Sequence, residues 1–190
     1  MPANLSSLRI ASAHYRALLK KIAFFETRLR SRHAASIQCR PGCAECCTLS
    51  SVFPVEAQAL SAALNKLPIR VLGALTENKG DHKVCPLLLD GRCTVYAARP
   101  VICRTHGYPL RVNGRVDFCG LNFKGVRSFD AEDVLDLDAL NTVLAVVNIV
   151  FWKATDGEHG RNARVPLKRL LAQAIQQRRS GHKRKKHARG

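Results

Sequence analysis

The sequence predicts an α+β protein, a small cysteine-rich domain with two β-hairpins, packed by N- and C-terminal helices. Three observations lead there. Apolar residues recur at helical spacing near both ends, two strand-like runs each bend around a tight two-residue turn, and all eight cysteines fall between Cys39 and Cys119. A length of 190 residues with 46% hydrophobic content is enough for a buried core, which excludes a disordered or collagenous chain.

Residues 6–32 place Leu8, Ala11, Tyr15, Leu18, Ile22, Phe25 and Leu29 three or four apart, one apolar seam on a long helix with Ser6 or Ser7 as its N-cap. The seam suits packing on the cysteine domain or, alternatively, a weak coiled-coil dimer. Pro54 opens a second helix and Pro68 closes it, with a short helical turn over 69–77. CPLLL, Asp90-Gly91 and RCTVY read as a hairpin, and PLRV, Asn113-Gly114 and RVDF as another. Residues 137–152 form a buried helix, too short and too interrupted by Asp138, Asn141, Thr142 and Asn148 to span a bilayer. Val165 to Arg179 form the last helix, and the final eleven residues are expected to lack structure. Composition thus divides the chain into a basic helix (1–35), the cysteine domain (36–155), and a basic helix with a disordered polybasic tail (156–190).

The net charge of +17 sits at the ends: residues 1–38 carry +6, residues 39–152 only +1, and residues 153–190 carry +10. Cysteine chemistry and basic charge are therefore separate features. The N-terminus has no uninterrupted apolar run with a cleavage site behind it, so a reducing, cytoplasmic setting is expected, where clustered cysteines point to metal or redox work rather than to disulfides.

CRPGCAECC spaces Cys39, Cys43, Cys46 and Cys47 as C-x3-C-x2-C-C, close enough to converge without long-range folding. If Ala44 to Cys47 begin a helix, its N-terminus would favour the thiolate that binds metal. Adjacent Cys46 and Cys47 point about 100° apart on a helix and oppositely on a strand. Two centres, or one ligand beside one packed thiol, are both open. Cys85, Cys93, Cys103 and Cys119 belong to the hairpins and their flanks, the way zinc ribbons deliver ligands. Thiolates suit zinc and Fe–S clusters alike, and spacing does not choose between them.

CRPGCAECC followed by CPLLLDGRCTVYAARPVICR resembles the YkgJ-type cysteine-cluster family of zinc- or iron-chelating domains, over roughly residues 36–123. The first cluster is one residue longer than that family's C-x2-C-x2-C-C. The resemblance implies a metal-binding loop with Cys39, Cys43, Cys46, Cys47, Cys85, Cys93 and Cys103 as ligands to zinc or an iron-sulfur cluster. Cys119, past the densest part of the motif, completes the candidates. Flagellin lysine methylases are similar in their cysteine clusters but longer.

Rival readings are an Fe–S-dependent enzyme, a nucleic-acid-associated zinc module, and a thiol redox protein using Cys43 and Cys46. The radical-SAM loop also has C-x3-C-x2-C spacing, but it carries an aromatic residue where this chain has Glu45. His106 is a candidate ligand or base; His82 is a weaker one, and His14, His33, His159, His182 and His187 weaker still. Arg40, Arg92 and Arg104 adjoin cysteines, and Arg99 precedes Cys103 by one helical turn, placed to offset thiolate charge. Residues 161–190 hold eleven basic side chains and no acidic or aromatic one, so the tail suits RNA, DNA or an anionic membrane surface without base stacking.

Overall fold

The computed structural model describes residues 5–77, 84–155 and 163–187, with the backbone alone for 181–187. Helices α1 (Leu5–His33), α2 (Pro54–Leu64), α3 (Ile69–Glu77), α4 (Val101–Thr105), α5 (Leu137–Ala154) and α6 (Leu167–His187) alternate with short strands, so the fold is mixed helix and sheet. The strands are β1 (Ser51–Val52), β2 (Leu88–Leu89), β3 (Arg92–Cys93), β4 (Leu110–Val112), β5 (Arg115–Asp117), β6 (Leu135–Asp136) and β7 (Val165–Pro166).

The α1 seam is buried as its spacing requires: Ala11, Tyr15, Leu18 and Ile22 meet Leu140, Leu144, Val147 and Phe151 of α5 in the same chain. Already helical at Leu5, α1 places Ser6 and Ser7 inside its first turn rather than at a cap. On the other side α2, α3 and α6 enclose a second core of Leu60, Leu64, Leu72, Leu167, Leu170 and Leu171. A third cluster at the C-terminal end of α1 packs Phe25 and Leu29 with Tyr108 and Phe123. Below it Arg32 and His33 pair with the buried carboxylate of Asp133, His33 at 2.8 Å.

Both hairpin turns form at the dipeptides that favour them. Asp90 and Gly91 have φ of 50° and 72°, and Asn113 and Gly114 have 49° and 77°. Positive φ at both central residues is the type I′ turn whose twist matches antiparallel strands. Leu88 then faces Cys93 across β2 and β3, and Leu110 faces Asp117 across β4 and β5. β6 adds to β4 in parallel, and β1 pairs with β7.

Three expectations are corrected. Residues 44–47 form a β-turn, Cys47 N–H donating to Ala44 O at 2.9 Å, rather than the start of a helix. The chain must be extended by Ser51 to pair with β7, which leaves no length over which a helical nucleus could repay its cost. The last helix continues through His187, eight residues into the segment expected to lack structure; Lys and Arg are good helix formers, and the packed first turns supply the nucleus. Finally, α5 runs to Ala154, and at 18 residues it is long and apolar enough by length and composition to span a bilayer. Here it packs on α1, and its buried Asn148 accepts the Val55 N–H of α2.

Glu56 joins the two halves. Only 3% exposed, it accepts the Phe53 N–H at 3.1 Å through one oxygen and the Val101 N–H at 3.0 Å through the other. It thus caps α2 and α4 together, and α4 carries Cys103. Glu56→Ala leaves two buried donors unpaired and is expected to lower unfolding stability by about 2 to 4 kcal/mol in denaturant titration. Burial raises the Glu56 carboxyl above the usual range, with the Val101 and Phe53 amides and Arg164 opposing. Its stabilisation is therefore complete below the ordinary glutamate pKa and declines as pH rises through the elevated one. The stability of the native chain relative to Glu56→Gln should fall as pH rises above the ordinary glutamate range; a difference that grows with pH contradicts this assignment.

Candidate metal centre

The residues 39–47 make two successive turns. Cys43 N–H donates to Arg40 O at 3.0 Å across Pro41-Gly42, with Gly42 at φ 101°, and the turn from Ala44 to Cys47 follows. The loop is tied to the first hairpin where Cys85 N–H donates to Cys47 O at 2.7 Å. From there the hairpin carries Cys93, and α4 brings Cys103 to the same side.

Seven of the eight cysteines, Cys39, Cys43, Cys46, Cys47, Cys85, Cys93 and Cys103, line one cleft of about 340 Å³. Cys119 does not line it; it adjoins Gly107, where an added Cβ would stand 3.5 Å from Cys119 Cβ and 3.0 Å from Cys39 Sγ. All eight are unpaired thiols, Cys46 exposed and the others half-buried. Among the described residues no three His, Cys, Asp or Glu side chains stand close enough to hold an ion as they are, so the thiols surround a space rather than a point.

Arg30, Arg40, Arg99, Arg104 and Arg164 and the exposed His106 complete the polar wall, and no carboxylate lines it. Soft thiols without carboxylates suit zinc and iron-sulfur clusters and not magnesium or calcium. The donor set therefore fits the metals that the motif implies. His33 is held by Asp133, His14 is exposed on α1, and His82 and His159 lie outside the described residues, as do the side chains of His182 and His187.

Burial raises the thiol pKa values, of Cys85 to about 11 and of Cys103 to about 12, with neighbouring thiols adding to it. Cys39, Cys47 and Cys93 are also raised, burial first. The helix N-terminus expected to favour thiolates is absent, and these thiols need a metal to be deprotonated at neutral pH. A low-pKa redox nucleophile is correspondingly unsupported among them.

Several supporting residues lie beyond any local pattern. Asn122, 1% exposed, accepts the N–H groups of Gln38 and Cys39 at 2.8 and 3.2 Å. Its amide donates to Gly107 O at 2.7 Å and to Cys39 Sγ at 3.4 Å. Next to it, buried Phe123 sits at φ 55°, a conformation that a bulky residue adopts only when its surroundings impose it. Phe123 N–H donates to Ser36 O at 2.7 Å, and its ring lies 5.7 Å from Phe118 and 5.1 Å from Phe129. Under the cleft, Glu26 accepts from Tyr108 Oη at 2.8 Å and Arg30 Nε at 3.3 Å and lies 4.0 Å from Arg99 Nη2. Arg30 and Arg99 each donate to a cysteine carbonyl, Cys39 O at 2.8 Å and Cys103 O at 3.3 Å. The only sequence signal for this set was Arg99, within the family motif.

The arrangement defines the class: a mixed helix and sheet domain built around a thiol-lined cleft. Residues 38–120 match the CxxCxxCC family model, described as "Putative zinc- or iron-chelating domain". That is the cysteine-cluster family the motifs resemble, and the matched segment begins one residue before Cys39 and ends one after Cys119. No curated protein and no solved structure matches the chain.

Asn122→Ala removes the acceptor of two amides behind Cys39 and should lower unfolding stability by about 2 to 3 kcal/mol. Asn122→Asp, which keeps the one acceptor oxygen but sets a second acceptor against Gly107 O where Asn122 donates, should not restore native stability at neutral pH in the same denaturant titration.

Proposed function

We propose that this protein chelates zinc or an iron-sulfur cluster through the cysteines of the cleft. The observation that carries the reading is seven thiols lining one cleft with no carboxylate among its walls. Cys39, Cys43, Cys46, Cys47, Cys85, Cys93 and Cys103 would hold the metal, with Cys119 adjoining. When bound, zinc would act structurally or as a Lewis acid, and a cluster would supply electron transfer. Arg30 and Arg99 offset the thiolate charge, and their bonds to cysteine carbonyls hold the ligand-bearing loops in place.

A cluster-dependent enzyme is the second reading, favoured by the cleft itself. Its volume of about 340 Å³ falls within the range of small-molecule sites, and His106 stands exposed on its wall. An open ligand position on the bound metal separates the two readings.

Anaerobic purification with elemental analysis and a visible spectrum tests the chelation. Stoichiometric iron with sulfide and a broad visible absorption is expected for a cluster, and stoichiometric zinc in colourless protein for a zinc centre. Folded, metal-free protein with eight reactive thiols overturns both.

For the basic end we propose a polyanion contact in a cytoplasmic setting, supported by the run from Lys183 to Lys186 at the end of α6. Removing residues 180–190 is expected to weaken binding to RNA, DNA or anionic vesicles and to flatten its salt dependence, with metal content unchanged. Loss of metal in that truncation contradicts the separation of the two features.

A further inference from the structure

The large apolar side chains that folding leaves in water are not spread evenly over this protein. Among the described residues ten are exposed, and five of them, Leu5, Ile10, Phe24, Val143 and Val146, belong to the packed pair α1 and α5. Ile10, Phe24, Val143 and Val146 are 47% to 70% exposed, whereas the seam residues between the two helices are buried.

Helical geometry puts these residues on one flank of the pair, since successive residues turn by about 100°. In α1, Ala11 is buried with α5. Ser12, one step round, donates to Gln58 Oε1 of α2 at 2.8 Å, and Ile10, one step the other way, is exposed. The same pattern recurs in α5: Val147 is buried with α1, Asn148 accepts the Val55 N–H of α2 at 3.4 Å, and Val146 is exposed. So α2 covers one flank of the pair, and Ile10 and Val146 mark the other. Residues seven apart return to within about 20° of each other, which adds exposed Ala17 and Phe24 to the flank of Ile10. Val143, one turn before Val146, joins it there.

Charge beside this apolar stripe has one sign. Lys20 and Lys21 fall between Ala17 and Phe24, Arg9 precedes Ile10 and Arg16 precedes Ala17, and all four cations are exposed. Among the described residues none of the four is in an ion pair with a carboxylate. From Leu5 to Phe25 α1 has no acidic residue, and α5 has no charged one from Ala139 to Trp152.

An apolar stripe with cations beside it and no acid is the pattern of a helix lying in the surface of an anionic bilayer. Other occupants fit it less well. A second copy docking symmetrically would set the same cations against themselves. A nucleic-acid backbone would use the cations and leave Ile10, Phe24, Val143 and Val146 in water. The cleft also faces away from this flank. Arg30 follows Ser12 by eighteen residues, five turns of about 3.6 residues each, so it lies on the α2 flank, where it lines the cleft.

We infer that the flank of α1 and α5 opposite α2 docks on an anionic membrane surface. Ile10, Phe24, Val143 and Val146 enter the headgroup boundary, Arg9, Arg16, Lys20 and Lys21 meet anionic headgroups, and the cysteine cleft stays open to solvent. This surface is distinct from the basic run at the end of α6.

Flotation of the full-length chain tests it, with vesicles of phosphatidylglycerol and phosphatidylcholine in equal parts and with vesicles of phosphatidylcholine alone. Binding is expected to the anionic vesicles only and should weaken with added salt. Phe24→Ser/Val146→Ser, which removes no charge, should weaken it by about tenfold or more with the thermal midpoint unchanged. Lys20→Gln/Lys21→Gln should weaken it as well, and deletion of residues 180–190 should leave the dependence on Phe24 and Val146 in place. In a readout that removes no apolar side chain, Phe24→Trp should gain a blue-shifted emission on addition of anionic vesicles, over the baseline of the native Trp152. A native chain that ignores the vesicles but binds RNA through Lys20 and Lys21 gives the face to a nucleic acid, and a native dimer split by Phe24→Ser/Val146→Ser gives it to a second copy. Either result overturns the assignment, as does vesicle binding that is insensitive to Phe24 and Val146.

Discussion

The Glu26 carboxylate under the cysteine cleft is the contact on which the site's architecture depends. It comes from the middle of α1, accepts from Tyr108 and Arg30, and faces Arg99. Through those partners one carboxylate reaches the loop at Cys39, the segment at Gly107 and the helix at Cys103. Without that negative charge, two guanidinium groups would face each other across a half-buried space. With it, both are held where their remaining N–H groups meet cysteine carbonyls. Tyr108 is buried beneath, and its hydroxyl is held protonated well above the usual range by burial and by its bond to Glu26.

This arrangement answers a problem of charge. A set of thiolates in a half-buried cleft repel one another, and they gain stability only when a metal and nearby cations offset them. The polar wall supplies cations without supplying competing carboxylates. The cysteine domain is close to neutral as a sequence while its cleft is lined by arginines because its acidic residues lie outside the cleft wall, among them Asp130, Glu132 and Asp133, which pair with arginines of α1, and Asp90 in the first hairpin turn. Most of the basic excess belongs to the two ends of the sequence, from which Arg30 and Arg164 reach the cleft wall.

Local features were legible wherever the physics was local. The spacing of Ala11, Tyr15, Leu18, Ile22, Phe25 and Leu29 named the buried face of α1 residue by residue. Asp90-Gly91 and Asn113-Gly114 named the turn type, since few other residues accept positive φ at both positions. The short helix over 69–77 also followed from Pro68 and the residues after it. Less legible was the stretch from Ala44 to Cys47, where a helical turn and a β-turn have the same local appeal, and the strand partner 115 residues away at Pro166 decided between them.

The sequence by itself determined which atoms are available: eight soft thiols of specified spacing, seven of them in a motif that resembles the cysteine-cluster family whose model the segment matches. It also determined that the basic charge is a property of the ends. Only the tertiary structure decided how the thiols are grouped and what supports them. Asn122 meets Cys39 across 83 residues, and Tyr108 meets Glu26 across 82. Such contacts leave no period and no turn signature, because they depend on where packed elements bring distant side chains rather than on what neighbours along the chain prefer.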